Sequence, residues 1–212
     1  MKITDVKAVY PKYQHVVPSW RTHFWQIVVR VETDSGTVGL GYGAGGVAGV
    51  EIVNRHFREL LLGKEINNVE DVRAIWDRLY VASLPYGRKG LTIMALSGVD
   101  LALYDLLGKA ERKPVYDILG GARKTKAFCY ATGEDSEMYL QLGYQAHKFS
   151  HRWTGADSDY DLAIEKAGQT RKLFGPEAKL MIDTYMSWDR KVTAEMGKRL
   201  AEFNIYFYED IL

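Results

Sequence analysis

The stretch Lys179–Leu212, KLMIDTYMSWDRKVTAEMGKRLAEFNIYFYEDIL, decides the predicted fold. It begins and ends with a short apolar run typical of a buried strand, and each run stops at a carboxylate, Asp183 in the first and Glu209 in the second. Between the runs, apolar residues recur every three or four positions, which predicts a helix with one buried face: Trp188, Val192, Met196, Leu200 and Phe203. A strand–helix–strand unit of this length makes two parallel neighbours.

The two acids that end these strands are the first candidate functional residues. In α/β folds, ligands bind at the carboxyl ends of parallel strands, so Asp183 and Glu209 are expected to face the same mouth. Two carboxylates there either bind a hard divalent cation or are solvated acids at the start of a loop. Their spacing alone leaves both interpretations open.

The composition is that of an ordinary globular protein and excludes several functions. The chain has 212 residues, a formal charge of +1 and 26% charged residues. We predict no nucleic-acid partner, because there is no block of like charge and no basic stripe. The N-terminus alternates as a strand does and no run is as long as a membrane span, which predicts a cytoplasmic protein without a membrane partner. The single Cys129 lies in an apolar run and is expected to be buried.

Residues 1–125 combine a layer of antiparallel strands with a group of helices. Alternating patterns predict three strands, residues 2–9, 24–33 and 37–43. Apolar residues at helical spacing predict three helices, Gly49–Leu62, Asn68–Ser83 and Arg88–Ala110. The third helix is apolar most of the way round, so it should be buried between two layers, and its acids Asp100 and Asp105 are interpreted as structural. This order indicates an α+β domain.

From Lys126 the pattern changes to a regular alternation of strands and helices. Four predicted strands, at KAFCYATG, YQAHKFS, KLMID and IYFYED, are separated by three predicted helices. Repeated units of this kind imply an α/β domain with a parallel sheet, either a small doubly wound sheet or the first half of a (β/α)8 barrel. A barrel needs about 250 residues. We therefore expect the sequence to be the N-terminal portion of a longer protein.

The segment ALSGVDLALYDLLGKAERKPVYDILGG, residues 95–121, resembles the enolase superfamily, and the strands that follow fit the same order. Among its branches, the acid-sugar dehydratases are most similar. The resemblance implies an N-terminal α+β capping domain over residues 1–125. It also implies that residues 126–212 form the first half, four βα-type strands, of a modified (β/α)8 TIM-type barrel.

The resemblance further implies a Mg²⁺ cofactor at the barrel mouth. In this superfamily the metal is held by acids that end the third, fourth and fifth strands, so Asp183 corresponds to the first ligand and Glu209 to the second. Mg²⁺ prefers carboxylate oxygens, with water and substrate completing its shell. Bound to a substrate carboxylate, it stabilises the enediolate that forms when the α-proton leaves. The implied reaction is dehydration of a sugar acid to a 2-keto-3-deoxy acid.

Other candidate residues lie on the second barrel strand and after it. Lys148 either points into the mouth as a catalytic residue or is a surface lysine. Where racemases and cycloisomerases carry Lys-x-Lys, this chain has Ser150 in place of the second lysine, which disfavours a racemase. The dehydratase branch instead relies on a His–Asp pair late in the barrel, beyond residue 212. His151 and Arg152 are weaker candidates for binding the substrate.

Two further candidates lie in the capping domain. Arg21 and His23 belong to a polar and aromatic loop that could clamp the distal part of a sugar acid, as the corresponding loop does in the family. The alternatives to a dehydratase are an epimerase or cycloisomerase of the same superfamily and a non-catalytic piece of a larger assembly. The full-length protein is expected to be a homo-oligomer.

Overall fold

The structure, a computed structural model, describes residues 1–11 and 25–212. The chain divides into two compact units, Met1–Arg123 and Lys124–Leu212. Each unit has its own cluster of buried apolar side chains. The units are described one at a time below.

The first unit contains a three-stranded antiparallel sheet in the order β1-β2-β3 and a set of helices. The strands are β1 (Ile3–Val9), β2 (Ile27–Thr33) and β3 (Val38–Gly43). The helices are α1 (Gly46–Glu51), which continues through a π-helical turn (Ile52–Phe57) into α2 (Arg58–Leu61), then α3 (Val69–Ser83), α4 (Leu91–Glu111) and α5 (Val115–Ile118). This is the predicted α+β pattern of strands followed by helices.

Helix α4 lies against the sheet at unusually short range. Every second residue of β3 is a glycine, and an added Cβ at Gly39 would lie 2.0 Å from the carbonyl oxygen of Ala102, while one at Gly41 would lie 2.2 Å from that of Gly98. The missing side chains therefore let the helix backbone approach the strand. Among the described residues, α4 is the one helix long and apolar enough to span a membrane, but 56% of its most apolar window is buried inside the protein. It is the core helix of this unit.

Of the two acids on α4 interpreted as structural, Asp100 and Asp105, the second has the role that we expect. The Asp105 carboxylate accepts a hydrogen bond from the main-chain N–H of Leu40 at 2.7 Å and pairs with the Lys109 ammonium at 2.6 Å. It thereby connects the helix to β3. Asp100 is half-buried, and burial raises the pKa of its carboxyl group.

The second unit is a four-stranded parallel sheet in the order β4-β5-β6-β7 with helices between the strands. Its strands are β4 (Ala131–Thr132), β5 (Ala146–Ser150), β6 (Lys179–Asp183) and β7 (Ile205–Glu209). Its helices are α6 (Ser136–Gln141), α7 (Ser158–Phe174) and α8 (Arg190–Arg199), and α8 is followed by a 3-10 turn (Ala201–Phe203). The strands are adjacent in chain order, as repeated βα units predict.

Side chains along the strands alternate between the two faces of this sheet. On one face Phe149 and Ile182 join the buried cluster with the apolar side of α8. The predicted face of that helix is confirmed, since Trp188, Val192, Met196 and Leu200 are all buried. On the other face the ring of Tyr130 contacts that of Phe207 edge-on at 6.2 Å. Because Tyr130 precedes β4 and Phe207 lies on β7, the two outer strands of the sheet, the sheet must curl towards this face.

Two expectations for the segment Lys126–Gly133 are wrong. The predicted strand is reduced to the two residues Ala131 and Thr132, which pair with His147 and Lys148. Cys129, expected to be buried, is exposed. The physical reason is that residues 121–130 are exposed and, among the described residues, form no strand pairing, so that only Ala131 and Thr132 join the edge of the sheet.

Candidate metal centre

The carboxylates of Asp183 and Glu209 converge at the carboxyl ends of β6 and β7. The two residues are partners in the parallel register, so their side chains project from the same face. Between them lies the ammonium of Lys148, which is 3.3 Å from Asp183 Oδ2 and also forms an ion pair with Glu209 Oε2. One cation therefore contacts both acids. Sequence reasoning nominated all three residues, and the structure brings them together.

The main chain turns sharply just after each of the two acids. Tyr185 and Met186 follow Asp183 with φ of 52° and 56°, and Asp210 follows Glu209 with φ of 49°. Residues other than glycine adopt this left-handed conformation at a cost of about 1 kcal/mol or more each. The main-chain N–H of Tyr185 donates to Asp183 Oδ1 at 3.2 Å, which holds the carboxylate at the strand end. Backbone strain of this kind is concentrated at functional sites.

Lys148 is a buried cation in this cluster. Its side chain is only 7% exposed. Burial by itself disfavours the charged ammonium, but hydrogen bonds from the ammonium to Glu209 and Asp183 outweigh it, so that the pKa of Lys148 is raised above its ordinary value. The side chain therefore remains positively charged at neutral pH.

The two acids suit Mg²⁺, which is commonly held by one or two protein carboxylates with water and substrate oxygens completing an octahedron. The contact of both carboxylates with a single ammonium indicates that one cation can be shared between them. No group of three or more His, Cys, Asp or Glu side chains suited to a metal ion occurs in the part of the chain that the structure describes. This region thus supplies two candidate ligands.

His151 lies on the helix side of the sheet. Its ring is buried, contacts Trp188 edge-on at 6.0 Å and makes a 2.9 Å hydrogen bond from Nε2 to the carbonyl oxygen of Asp159 at the start of α7. Because a carbonyl only accepts, Nε2 carries the proton, and burial lowers the pKa of His151. These contacts are those of a packed histidine and do not bring its ring to the acids.

Arg152 is exposed on the loop after β5. Its guanidinium lies 5.9 Å from the ring centre of Tyr185, on the loop that follows Asp183. It is therefore at the correct end of the sheet for contact with a ligand. Arg21 and His23, the candidates from the capping loop, lie outside the described residues.

Sequence reasoning missed a second polar cluster at this end of the sheet. The Glu134 carboxylate accepts hydrogen bonds from the N–H and hydroxyl of Ser150 and forms an ion pair with Lys166 on α7. Glu134 follows a two-residue strand, and Lys166 lies within a helix. The one available signal was an acid just after the first predicted strand, the same signal that identified Asp183 and Glu209.

These features define an α/β protein in which parallel strands present a pair of carboxylates suited to a divalent metal ion. A family model described as mandelate racemase / muconate lactonizing enzyme, N-terminal domain, matches residues 6–120. A second model, enolase C-terminal domain-like, matches residues 132–212. The chain therefore belongs to the enolase superfamily, as its sequence resemblance predicted.

Similar sequences carry names from the acid-sugar dehydratase branch. An L-rhamnonate dehydratase from Saccharopolyspora erythraea is 36% identical over 97% of this chain. A putative L-rhamnonate dehydratase from Caldivirga maquilingensis is 32% identical over 96% of it. The chain covers 53% and 51% of these two proteins, so it spans about half the length of the curated relatives it matches.

Solved structures share the fold. L-rhamnonate dehydratase from Gibberella zeae superposes with a TM-score of 0.86 at 29% identity, covering all of this chain and 58% of the other. A structure of the rhamnonate dehydratase from the same organism complexed with Mg has a TM-score of 0.81 at 33% identity, covering 88% of this chain and 46% of the other. The 3,6-anhydro-D-galactonate cycloisomerase from Zobellia galactanivorans also reaches 0.81, at 26% identity, covering 100% and 59%. The predicted fold class, a capping α+β domain and part of a parallel α/β barrel, is confirmed.

Proposed function

We propose that this protein catalyses the Mg²⁺-dependent dehydration of a sugar acid, a rhamnonate-like aldonate, to a 2-keto-3-deoxy acid. In this reaction the proton on C2 is removed and hydroxide leaves C3 with acid assistance. The observation that carries the proposal is that the carboxylates of Asp183 and Glu209 both contact a single cation, the ammonium of Lys148. The similarity to L-rhamnonate dehydratases supports the choice of reaction and of substrate class.

In this proposal Asp183 and Glu209 hold the metal ion. Bound Mg²⁺ would supply positive charge to the substrate carboxylate and so make the neighbouring C–H bond more acidic. The turn at Tyr185 and Met186 keeps the Asp183 carboxylate in place by main-chain hydrogen bonding. The Asp183 carboxylate therefore needs little reorganisation when a cation enters.

Lys148 is proposed to act beside the metal ligands, as a catalytic residue or as a contact for the anionic substrate, because its ammonium lies against both Asp183 and Glu209. Ser150 has no basic group. Family resemblance implies that the base is a His–Asp pair on later barrel strands.

Several further assignments stay proposals. Arg21, His23 and Arg152 are proposed to contact the distal hydroxyl groups of the sugar acid, with His151 supporting the loop after β5. We propose that residues 1–125 are the capping domain and residues 126–212 the first barrel strands. A cytoplasmic homo-oligomer is the expected form of the protein.

A cycloisomerase or epimerase of the same superfamily is the second candidate function, because a 3,6-anhydro-D-galactonate cycloisomerase has a similar fold. The serine at position 150, where racemases and cycloisomerases carry a lysine base, disfavours it. The two reactions are separated by their products. Dehydration of a sugar acid yields a 2-keto acid one water lighter than the substrate, whereas epimerisation leaves the mass unchanged. A non-catalytic role predicts neither product from any sugar acid.

The test of the proposed function is the substitution Asp183→Asn, which removes one ligand charge and preserves the side-chain volume. We expect Mg²⁺ affinity, measured by calorimetry, to fall at least about tenfold, and dehydration of L-rhamnonate by the full-length protein to be lost. Asp157→Asn, at an exposed N-cap without a side-chain hydrogen bond, is the matched control and should change neither. Wild-type Mg²⁺ affinity in Asp183→Asn would contradict the metal site.

A further inference from the structure

We propose that the oxygen of the Ser150 hydroxyl accepts a hydrogen bond from a hydroxyl group of the sugar acid. Glu134 and Lys166 hold the Ser150 hydroxyl in the orientation in which it can only accept from the substrate. The inference rests on the proposed function and names a specificity-determining residue within the same site.

The strand register brings Ser150 next to the candidate metal ligands. Ser150 is the partner of Asp183 across β5 and β6, and Asp183 is the partner of Glu209 across β6 and β7. Three neighbouring strands thus end in one row of polar side chains. Ser150 lies two residues after Lys148, so its side chain projects from the same face as the lysine that contacts both acids. A ligand bound at the acids is then one strand spacing, about 4.8 Å, from Ser150.

The hydrogen bonds of Glu134 determine which way the Ser150 hydroxyl points. The Ser150 N–H donates to Glu134 Oε1 at 3.2 Å, and its hydroxyl donates to the same oxygen. Burial by itself raises the pKa of Glu134, but the hydrogen bonds from Lys166 and Ser150 outweigh it and lower the pKa below the ordinary value. The carboxylate is therefore ionised at neutral pH and can only accept.

Lys166 holds this arrangement from the helix side. Its ammonium pairs with Glu134 Oε2, donates to the main-chain carbonyl of Ser150 at 2.9 Å and lies 5.6 Å from the ring centre of Phe149. The same cation thus contacts both Glu134 and Ser150. It keeps the carboxylate oriented towards the serine and preserves its charge.

The proton of the Ser150 hydroxyl is therefore already used in the hydrogen bond to Glu134. Because the Ser150 O–H donates to Glu134, its oxygen retains lone pairs that can only accept a hydrogen bond. Ser150 is only partly buried at the end of β5. A sugar acid offers several hydroxyl donors next to its carboxylate. The site should therefore prefer an acid with a hydroxyl at the carbon that faces Ser150 over an analogue with hydrogen there.

The test is calorimetric binding of L-rhamnonate and its monodeoxy analogues to the full-length protein with Mg²⁺. For Ser150→Ala we expect rhamnonate to bind about three- to tenfold more weakly, as for the loss of one hydrogen bond, with Mg²⁺ affinity unchanged. One monodeoxy analogue should bind wild type and Ser150→Ala equally. Ser150→Thr, which keeps the hydroxyl, should restore binding, and Ser158→Ala, at an exposed serine, is the matched control.

A second variant tests the polarity directly. In Glu134→Gln the amide nitrogen can donate to the Ser150 oxygen, which frees the serine proton and abolishes the preference for a donor. We expect this variant to lose discrimination between rhamnonate and the same monodeoxy analogue. Unchanged discrimination in both Ser150→Ala and Glu134→Gln would overturn this inference alone, while the proposed function would stand. Wild-type protein that binds Mg²⁺ but no sugar acid would overturn the proposed function and this inference with it.

Discussion

The guanidinium of Arg171 connects three parts of the second unit through main-chain carbonyl groups. Near the end of α7, it donates to the carbonyl groups of Gly175, Pro176 and Ala178 in the connection to β6. It also donates to those of Phe203 and Asn204 just before β7. One side chain therefore fixes the starts of the two strands that carry the acids. Its planar fork of five N–H groups makes this possible, and lysine has no equivalent.

We predict that Arg171→Lys lowers the free energy of unfolding by about 2 kcal/mol, because a single ammonium leaves several partly buried carbonyl groups without a donor. Thermal and urea unfolding followed by circular dichroism measure the change. Arg55→Lys is the matched control, because Arg55 is exposed and its one ion pair among the described residues is with Glu51, one helical turn away. That control should change stability by less than about 0.5 kcal/mol. Equal effects of the two substitutions would contradict the role of Arg171.

At individual positions, the two candidate metal ligands were easier to predict from the sequence than the residues around them. Asp183 and Glu209 could be predicted because each ends an apolar run, and parallel pairing brings strand ends together. The position of His151 just after β5 suggests a place near the acids, whereas alternation along the strand correctly assigns its side chain to the side of Phe149. The Glu134–Ser150 contact joins residues 16 positions apart, with helix α6 and strand β5 between them. Its geometry depends on tertiary structure that no local pattern encodes.

At the scale of elements, the contact between β3 and α4 depends on the absence of side chains. We predict that Gly41→Ala lowers the free energy of unfolding by at least about 2 kcal/mol, because its Cβ would lie 2.2 Å from the carbonyl oxygen of Gly98 and force the helix away. Gly197→Ala is the control, since a methyl group added there, inside α8, would have no described atom within 4 Å apart from its own helical turn. It should be neutral or stabilising by up to about 1 kcal/mol, as alanine favours helix. Denaturant midpoints decide between these outcomes.

The elements themselves were largely predictable, and their exceptions have physical causes. The strand at residues 38–43 follows from its neighbours and the preceding turn, although alternate glycines are unfavourable in strands. Close helix packing, a tertiary effect, explains why they are tolerated. Strand β4 is shorter than its apolar composition predicts. Only Ala131 and Thr132 pair with β5, at the edge of the sheet.

For the whole molecule, the pH dependence of stability should follow two buried histidines. His147 is buried, stacks on Phe174 and hydrogen bonds through Nδ1 to the carbonyl oxygen of Ala131 at 3.2 Å. Burial lowers the pKa of both His147 and His151, although hydrogen bonds to carbonyl groups partly oppose it. Below about pH 6.5 the unfolded chain therefore binds protons that the folded chain does not.

We predict that the free energy of unfolding falls as the pH is lowered through about 6.5, by up to about 1.4 kcal/mol per pH unit for each histidine. His147→Gln should make this slope shallower, because a glutamine does not titrate. Urea midpoints between about pH 7.5 and 5.5 measure both slopes. Identical slopes in wild type and His147→Gln would contradict the assignment. A separate loss at more acidic pH is expected from Glu134, whose lowered pKa stabilises the fold only while the carboxylate is charged.

The parallel register of β6 has a consequence for how such a chain can change during evolution. Ile182 belongs to the buried core and Asp183 to the opposite face, so a deletion or insertion of one residue within the strand would exchange them. The same change would remove the apolar side chain of Ile182 from the core and the carboxylate of Asp183 from the candidate metal site. Selection for a folded protein therefore also eliminates length changes that would destroy the acidic pair. A length change after the turn at Tyr185 and Met186 would not exchange the two faces of β6, so substrate preference can diversify in that loop while the acids keep their places.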